Sequence, residues 1–566
     1  MKFKKLLAVI LSVMMLISSL PTGAFNVVAN ASSFYYTYTV SGGKATITKC
    51  HKSINGNVTI PSVLGAYEVV AIGDSALKDC ASIKTIKIPE TITQIGNYAF
   101  QGCGGMTKIT IPKSIRGIGV SAFNGCFALN EVNIENIEFW LKIGFSNAQS
   151  NPLNINKNTK LLVDGNLLTD IIVPESVTEI KNYAFSGLEH LETIKIPFGI
   201  NRIGSYSFNG CKNLNYIEIL EEISGYSMSI CDYAFNNCNN LKYITINEKI
   251  SYNIGKYAFQ NCISLTALDK LGSVYEIGEY AFSGCKNITN IIVPDTVHNI
   301  GQAVFMGCSN VECITLPFVG ASRTNQSFIG HIFGSSIFLP GNNIYDNITY
   351  VPKTLKTVIL SEGCNYLNQE AFLGNETIEK IILPSTICNE ELFNGDTFIC
   401  LSNLKEINIS AENNQFCSKD GVVFSKNGKK LIFCPPKRDI PIYHIPDGTE
   451  EICSYAFFFP NSLTGITVPD SIINIENDAF MLSDNILLYC NIGNTSKLIS
   501  SLNYKYKYLG DLNNDKTLNS LDVIMMRKGL LNILNCDNTI SDYNRDNNFD
   551  VLDLIRLKKK FAGIIA

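Results

Sequence analysis

The sequence predicts an α/β repeat solenoid, with parallel strands returning about every 23 residues, followed by a small all-α module built on two loops. Three patterns carry that prediction. A phenylalanine recurs at Phe100, Phe123, Phe185, Phe208, Phe235, Phe259, Phe282, Phe305, Phe372, Phe457 and Phe480. Proline keeps the same step, from Pro89 to Pro112, Pro174 to Pro197, Pro294 to Pro317 and Pro446 to Pro469. Beyond the repeats, one Asp- and Asn-rich stretch occurs twice, starting at Asp511 and at Asp542.

At the N-terminus, Lys2, Lys4 and Lys5 precede an apolar run from Leu6 to Leu20 and then Ala29-Asn30-Ala31, the pattern of a secretory signal peptide over residues 1–31. That run is shorter than the roughly 18 to 20 residues of a spanning helix, and no second run reaches that length, so no membrane span is expected after cleavage. A net charge of −4 leaves no electrostatic footprint for nucleic acid or an anionic membrane. Residues 32–80 read as an N-terminal cap and first repeat, with a Ser41-Gly42-Gly43 turn between two strand-like runs.

Residues 81–500 hold the repeats. Segments such as Ile83-Lys84-Thr85-Ile86-Lys87-Ile88-Pro89 alternate with period two, which predicts half-buried strands, and the proline falls where the ladder ends. The following Ile-Gly turn and Ala-Phe-x-x-Cys stretch read as a bend with a helical turn whose Phe points into the stack. Cys103, Cys126, Cys211, Cys238, Cys262, Cys285 and Cys308 follow the repeat Phe by three residues, and Leu188 holds that place after Phe185, so these thiols read as packing positions. Rungs about 4.8 Å apart also fit poorly the roughly 3.8 Å Cβ separation of a disulfide. Insertions near 136–170, 318–350 and 412–443 interrupt the step. The first carries Trp140 and the second Arg323, His331 and Phe333, either packed under local loops or available to a ligand.

The phrase Ile95-Gly96-Asn97-Tyr98-Ala99-Phe100-Gln101-Gly102-Cys103, repeated as Ile277-Gly278-Glu279-Tyr280-Ala281-Phe282-Ser283-Gly284-Cys285, resembles the BspA-type leucine-rich-repeat proteins of bacterial surfaces. The resemblance implies the fold and an adhesive or binding role, with no particular ligand.

Residues 501–508 read as a short linker before the final module, 509–566. In its first loop, Asp511, Asn513, Asp515, Asn519 and Asp522 place oxygen side chains at positions 1, 3, 5, 9 and 12, and Asp542, Asn544, Asp546, Asp550 and Asp553 repeat the spacing. Calcium takes six to eight oxygen ligands, so these residues, with main-chain carbonyls of Thr517 and Asn548 at position 7, predict two calcium ions. Position 6 is ordinarily glycine but is Lys516 and Asn547 here, and the first loop has fewer aspartates, so it is expected to bind more weakly. Val523, Met526 and Leu530, then Leu554, Leu557 and Phe561, fall at helical spacing and predict two apolar faces that pack together.

A duplicated loop-plus-helix without entering helices resembles the type I dockerin of cellulosomal proteins. It implies docking on a scaffoldin cohesin through Ser520, Leu521, Arg527 and Lys528 in one half and Val551, Leu552, Lys558 and Lys559 in the other. The chain is then expected to be a secreted, non-catalytic component attached to a cellulosome at the bacterial cell surface, with a protein or plant cell-wall polysaccharide on its repeats. The alternatives are a structural spacer and a glycoside hydrolase. Against the latter, the repeats fill the remaining sequence, and His51, His190, His298, His331 and His444 form no His-Glu-x-x-His; Gly-x-Ser-x-Gly and Cys-x-x-Cys are also missing.

Overall fold

The computed structural model describes residues 25–27, 35–219, 227–245, 250–268, 271–335, 350–393, 397–398, 401–483, 485–546 and 548–562. The expected signal peptide lies outside these, apart from the strand Phe25–Val27, which pairs antiparallel with Tyr36–Ser41. No helix among the described residues is long and apolar enough to cross a membrane. The chain forms two compact units, Met1–Leu265 and Thr266–Ala566.

In the first unit, Tyr36–Ser41 and Lys44–Cys50 form the expected hairpin, and the second strand then starts a parallel ladder through Tyr67–Ile72, Gln94–Ile95, Gly117–Ile118 and Gly144–Phe145. A second ladder joins Gly56–Thr59, Ile83–Lys87, Lys108–Thr110, Glu131–Ile134 and Lys160–Val163. Equivalent residues face each other: Ile86 opposes Ile109, which opposes Val132. Their alternation puts Ile86 and Ile88 inside, leaving Thr85 half-buried and Lys87 exposed, as the period of two requires.

Where the sequence suggested a helical turn, the chain instead makes a third set of rung-to-rung bonds. Tyr98 has φ 56°, and Tyr183, Tyr206, Tyr233 and Tyr257 are likewise left-handed, which no α-helix accommodates. The turn aims alternate amides at the next rung: Tyr98 N–H at Val120 O (2.9 Å), Phe100 N–H at Ala122 O (2.8 Å) and Gly102 N–H at Asn124 O (2.8 Å). The tyrosine rings stack in return, Tyr206 on Tyr233 and Tyr233 on Tyr257, each with centroids 4.6 Å apart. The glycine of the Ile-Gly step is required by contact. A Cβ on Gly119 would lie 2.5 Å from the Asn97 amide nitrogen of the rung before.

The repeat phenylalanines stack inside. Phe208 and Phe235 are parallel within 3°, with centroids 5.0 Å apart. The cysteines do more than pack. Cys103, Cys126, Cys211, Cys238 and Cys262 are buried, and each thiol donates to a carbonyl of the preceding rung, as Cys238 Sγ does to Phe208 O (3.2 Å). Burial pushes the Cys308 and Cys434 thiols up to about 12. Since the thiolate is the nucleophile, iodoacetamide is expected to leave Cys211, Cys238 and Cys262 intact in the native protein. Peptide mapping before and after denaturation checks this; ready native labelling of Cys238 would contradict it.

The first insertion closes one ladder and opens another. Its helix α1, Ile137–Leu141, is capped by the Asn136 side chain and buries Trp140. The Trp140 indole N–H bonds to Ala184 O (2.8 Å), and the Asn151 amide bonds to Tyr183 O and Ala184 O. In regular rungs that alanine carbonyl accepts the amide of the previous repeat Phe, as Ala122 O does. Trp140 and Asn151 therefore stand in for a missing rung, and the buried carbonyls stay satisfied. Beyond them run ladders from Asp170–Ile172 to Tyr243–Thr245 and from Glu179–Ile180 to Ser251–Ile254.

In the second unit a ladder runs from Ala267–Leu268 through Asn290–Ile292, Cys313–Leu316, Thr357–Leu360 and Lys380–Leu383 to Glu406–Ile409. The described part of the second insertion packs inward: helix α2, Gly330–Phe333, buries Phe333, and the Arg323 guanidinium bonds to Gly363 O and to Asp295 O (2.6 Å). The third insertion forms the strands Phe416–Lys419, Val422–Ser425 and Lys430–Phe433, the last starting a new parallel ladder with Glu451–Ile452 and Asn474–Ile475. Beside it lie Ile442–His444, Gly465–Val468, Leu487–Cys490 and Tyr506–Tyr508. Residues 501–508, read above as a linker, thus hold the end of helix α3, Asn494–Ser501, and that last strand, which backbone pairing ties to the repeats.

Candidate functional site

Two positions stand out, both in the second unit. The first is the C-terminal module, made of helices α4 (Ser520–Leu530), α5 (Asn538–Ser541) and α6 (Val551–Phe561). Met526, Leu554 and Leu557 are buried, with Val523 and Leu530 packed against them, so the two helices meet as their spacing predicted; the Phe561 side chain lies outside the described residues. The same core holds Leu509, Ile540, Tyr543 and, from the repeats, Tyr489.

Each helix is preceded by one of the twelve-residue loops, and carboxylates fold the loops inward. In the first, Asp511 accepts the amides of Asp515 (3.1 Å) and Lys516 (2.8 Å), while Asp522 accepts those of Leu512 and Asn519 (both 2.9 Å). The second repeats this, with Asp542 taking the Asp546 amide (3.1 Å) and Asp553 taking those of Asn544 (2.9 Å) and Asp550 (2.8 Å). Asp511, Asp522, Asp542 and Asp553 are all buried. Position 9 also starts the helix that follows, since Asn519 and Asp550 cap α4 and α6, each accepting the amide two residues on at 2.7 Å.

Asn513, Asp515 and Thr517 close the first loop by side-chain bonds, and the Thr517 hydroxyl and Asn513 amide hold Asp515 below the usual carboxylate range. In the second loop, Asp546 accepts the Asn544 side-chain amide and the Asn548 main-chain N–H, both at 2.9 Å. Burial, then the neighbouring Asp542 and Asp546 charges, push Asp553 up, against its two amide bonds. A divalent cation would relieve that crowding, so the donor set fits a hard cation. Among the described residues no three of His, Cys, Asp and Glu gather as a metal cluster, so a full ligand shell also needs the asparagine and main-chain oxygens. Lys516, at position 6, has φ 64°, the left-handed turn normally left to glycine; Asn547 lies outside the described residues.

All eight residues expected at a docking face are exposed: Ser520, Leu521, Arg527 and Lys528 on α4, and Val551, Leu552, Lys558 and Lys559 on α6. Sequence reasoning missed Ile524 (49 % exposed) and Ile555 (42 %), which extend the strips from Leu521 and Leu552. Their i+3 spacing was the available signal.

The second position is a groove of about 570 Å³ on the outward face of the repeats. Its floor carries Lys356, Glu379 and Lys405 beside Thr357, Lys380 and Glu406, and its wall, from the third insertion, carries Asp420, Arg438, Asp439 and Ile440. Glu379 bridges Lys356 (3.0 Å) and Lys405 (3.1 Å), and Glu406 pairs with Lys380 (2.6 Å). Arg438 Nη1 is bonded to the carbonyls of Lys405 and Asp420, and the guanidinium lies over the Tyr443 ring.

Comparison with known families matches residues 48–166, 164–252, 228–351 and 324–427 to the BspA type leucine rich repeat region, and residues 509–562 to the dockerin type I domain. No curated protein matches. Among solved structures, the chain is similar to a leucine-rich repeat protein from Bacteroides ovatus, at 20 % identity and TM-score 0.37, covering 86 % of this chain and 100 % of that one. A leucine rich cell surface protein from Faecalibacterium prausnitzii matches at 19 % identity and TM-score 0.29, over 70 % and 96 % of the two chains. The T. pallidum leucine rich repeat protein matches at 21 % identity and TM-score 0.26, over 42 % and 91 %.

Proposed function

This chain belongs to the BspA-type leucine-rich-repeat family, and from that premise we propose that it is a secreted, non-catalytic cellulosome component. Its dockerin binds a scaffoldin cohesin, which places it outside the cell at the bacterial surface, and its repeats hold a protein or plant cell-wall polysaccharide there. The observation that carries this reading is the pair of inward-folded loops, each ending in a helix with an exposed apolar and basic strip.

Asp511, Asn513, Asp515, Thr517, Asn519 and Asp522 hold one calcium ion, and Asp542, Asn544, Asp546, Asn548, Asp550 and Asp553 the other. Position 9, Asn519 or Asp550, would act through water, as is common in loops of this kind. Calcium bound only to the folded module stabilises it by about 2.7 kcal/mol per site at a hundredfold excess over its dissociation constant. Ser520, Leu521, Arg527 and Lys528, with Val551, Leu552, Lys558 and Lys559, meet the cohesin.

The groove favours a binding protein over a bare spacer, because the third insertion walls a flat ladder face into a concavity of ligand size. Exchanging Lys405 for Glu puts an acid between Glu379 and Asp439 and is expected to weaken retention on the ligand at least tenfold, with the fold kept. Pull-down of wild type and Lys405→Glu against cell-wall polysaccharides and secreted proteins reads this out. Equal retention of both chains rules out the groove as the ligand site, and no retention of either leaves the spacer reading standing.

A further inference from the structure

We infer that the second calcium loop and the last turns of the repeats respond to calcium as one unit, with Asp447 and Arg545 as its positioning pair. The inference rests on the calcium reading above and adds to it a regulation of the second site by residues far away in the chain.

Arg545 is the fourth residue of the second loop and has φ 64°. Its side chain is only 13 % exposed, and Nη1 lies 3.0 Å from Asp447 Oδ1, on the turn that follows the repeat strand Ile442–His444. Two residues earlier Tyr543 is buried in the core that contains Tyr489, from the strand Leu487–Cys490. A cavity of about 240 Å³ separates the surfaces, with Asp447, Asp470 and Asn491 on the repeat side and Tyr543, Arg545, Arg556 and Lys560 on the module side. The backbone joins them as well, through Leu509 N–H to Cys490 O (2.9 Å). Among the described residues no salt bridge ties the first loop to the repeats in this way.

The consequence is electrostatic and geometric. A guanidinium within the loop opposes a divalent cation beside it, and Asp447 offsets that charge while holding the left-handed turn in place. Without Asp447 the cation meets a less compensated positive charge, with Asp470 the remaining acid on the repeat side of the cavity, and a looser loop. By linkage, calcium that settles the loop on Asp447 and Tyr489 must also stabilise the turn bearing Asp447 and the strand bearing Tyr489.

The test uses the full chain. Calcium is titrated by calorimetry into wild type, Asp447→Asn, Arg545→Gln and the double variant, with Asp546→Ala marking the second site. Hydrogen exchange of Leu487–Cys490 is followed with and without calcium. Asp447→Asn is expected to weaken the second site about fivefold and spare the first. Removing the opposing charge with Arg545→Gln should reduce that loss. Calcium should slow exchange at Leu487–Cys490 in wild type and less so in Asp447→Asn. Two unchanged sites in Asp447→Asn, with exchange at Leu487–Cys490 indifferent to calcium, would overturn the inference and leave the calcium reading intact. Absence of any calcium binding by wild type would sink both.

Discussion

Chelating calcium with EGTA is expected to abolish cohesin binding and to unlock amide exchange across residues 509–562, while exchange in the first unit, up to residue 265, stays as it was. The reason lies in the four buried acids. Asp511, Asp522, Asp542 and Asp553 sit where water has little access, and each carries the cost of a buried carboxylate. The apolar core of the module is small, a handful of side chains around Met526 and Leu557, and has little stability in reserve against that cost. Metal binding is then a large share of its folding free energy. The loops should differ. Lys516 holds a left-handed turn at a cost of about 1 kcal/mol or more, so Lys516→Gly should tighten the first site severalfold and leave the second alone. Calorimetry on both chains, with a labelled cohesin assayed before and after EGTA, reads each part. A module equally protected and equally adhesive after chelation would show that calcium is not what holds it.

Phe235→Ala is expected to destabilise the first unit by about 3–5 kcal/mol in urea unfolding. Its ring is buried between Phe208, 5.0 Å away, and Phe259, 5.2 Å away, so truncation removes two stacked contacts and opens a gap that neighbouring rungs cannot close. Because each rung touches chiefly its neighbours, a break there should also split the transition, the rungs on either side melting separately. Tyr243→Ala, on a side chain 60 % exposed, is the control and should cost about 0.5 kcal/mol or less. A loss below about 1 kcal/mol at Phe235 would mean that the stack contributes little to holding the rungs together.

Much of this was legible in the residue order because it is local and repeated. The step of Phe and Pro marks each rung, Leu188 in a cysteine place marks the inner wall, and the two loops announce their oxygens by spacing alone. The helical turn expected after Ile-Gly was the instructive exception. Nothing local says that Tyr98 is left-handed, since the conformation is held by the Val120 carbonyl of the next rung.

The sequence by itself determined the period, the inward rows and the ligand spacing, because each depends on residues within one repeat or one loop. Tertiary structure alone decided that Trp140 replaces an absent rung at Ala184, that the third insertion walls a groove, that residues 506–508 continue the sheet and that Arg545 rests on Asp447. Those contacts join residues tens of positions apart, and which partners meet is set by how many rungs the chain has stacked between them, a sum over packing that no short stretch of residues encodes.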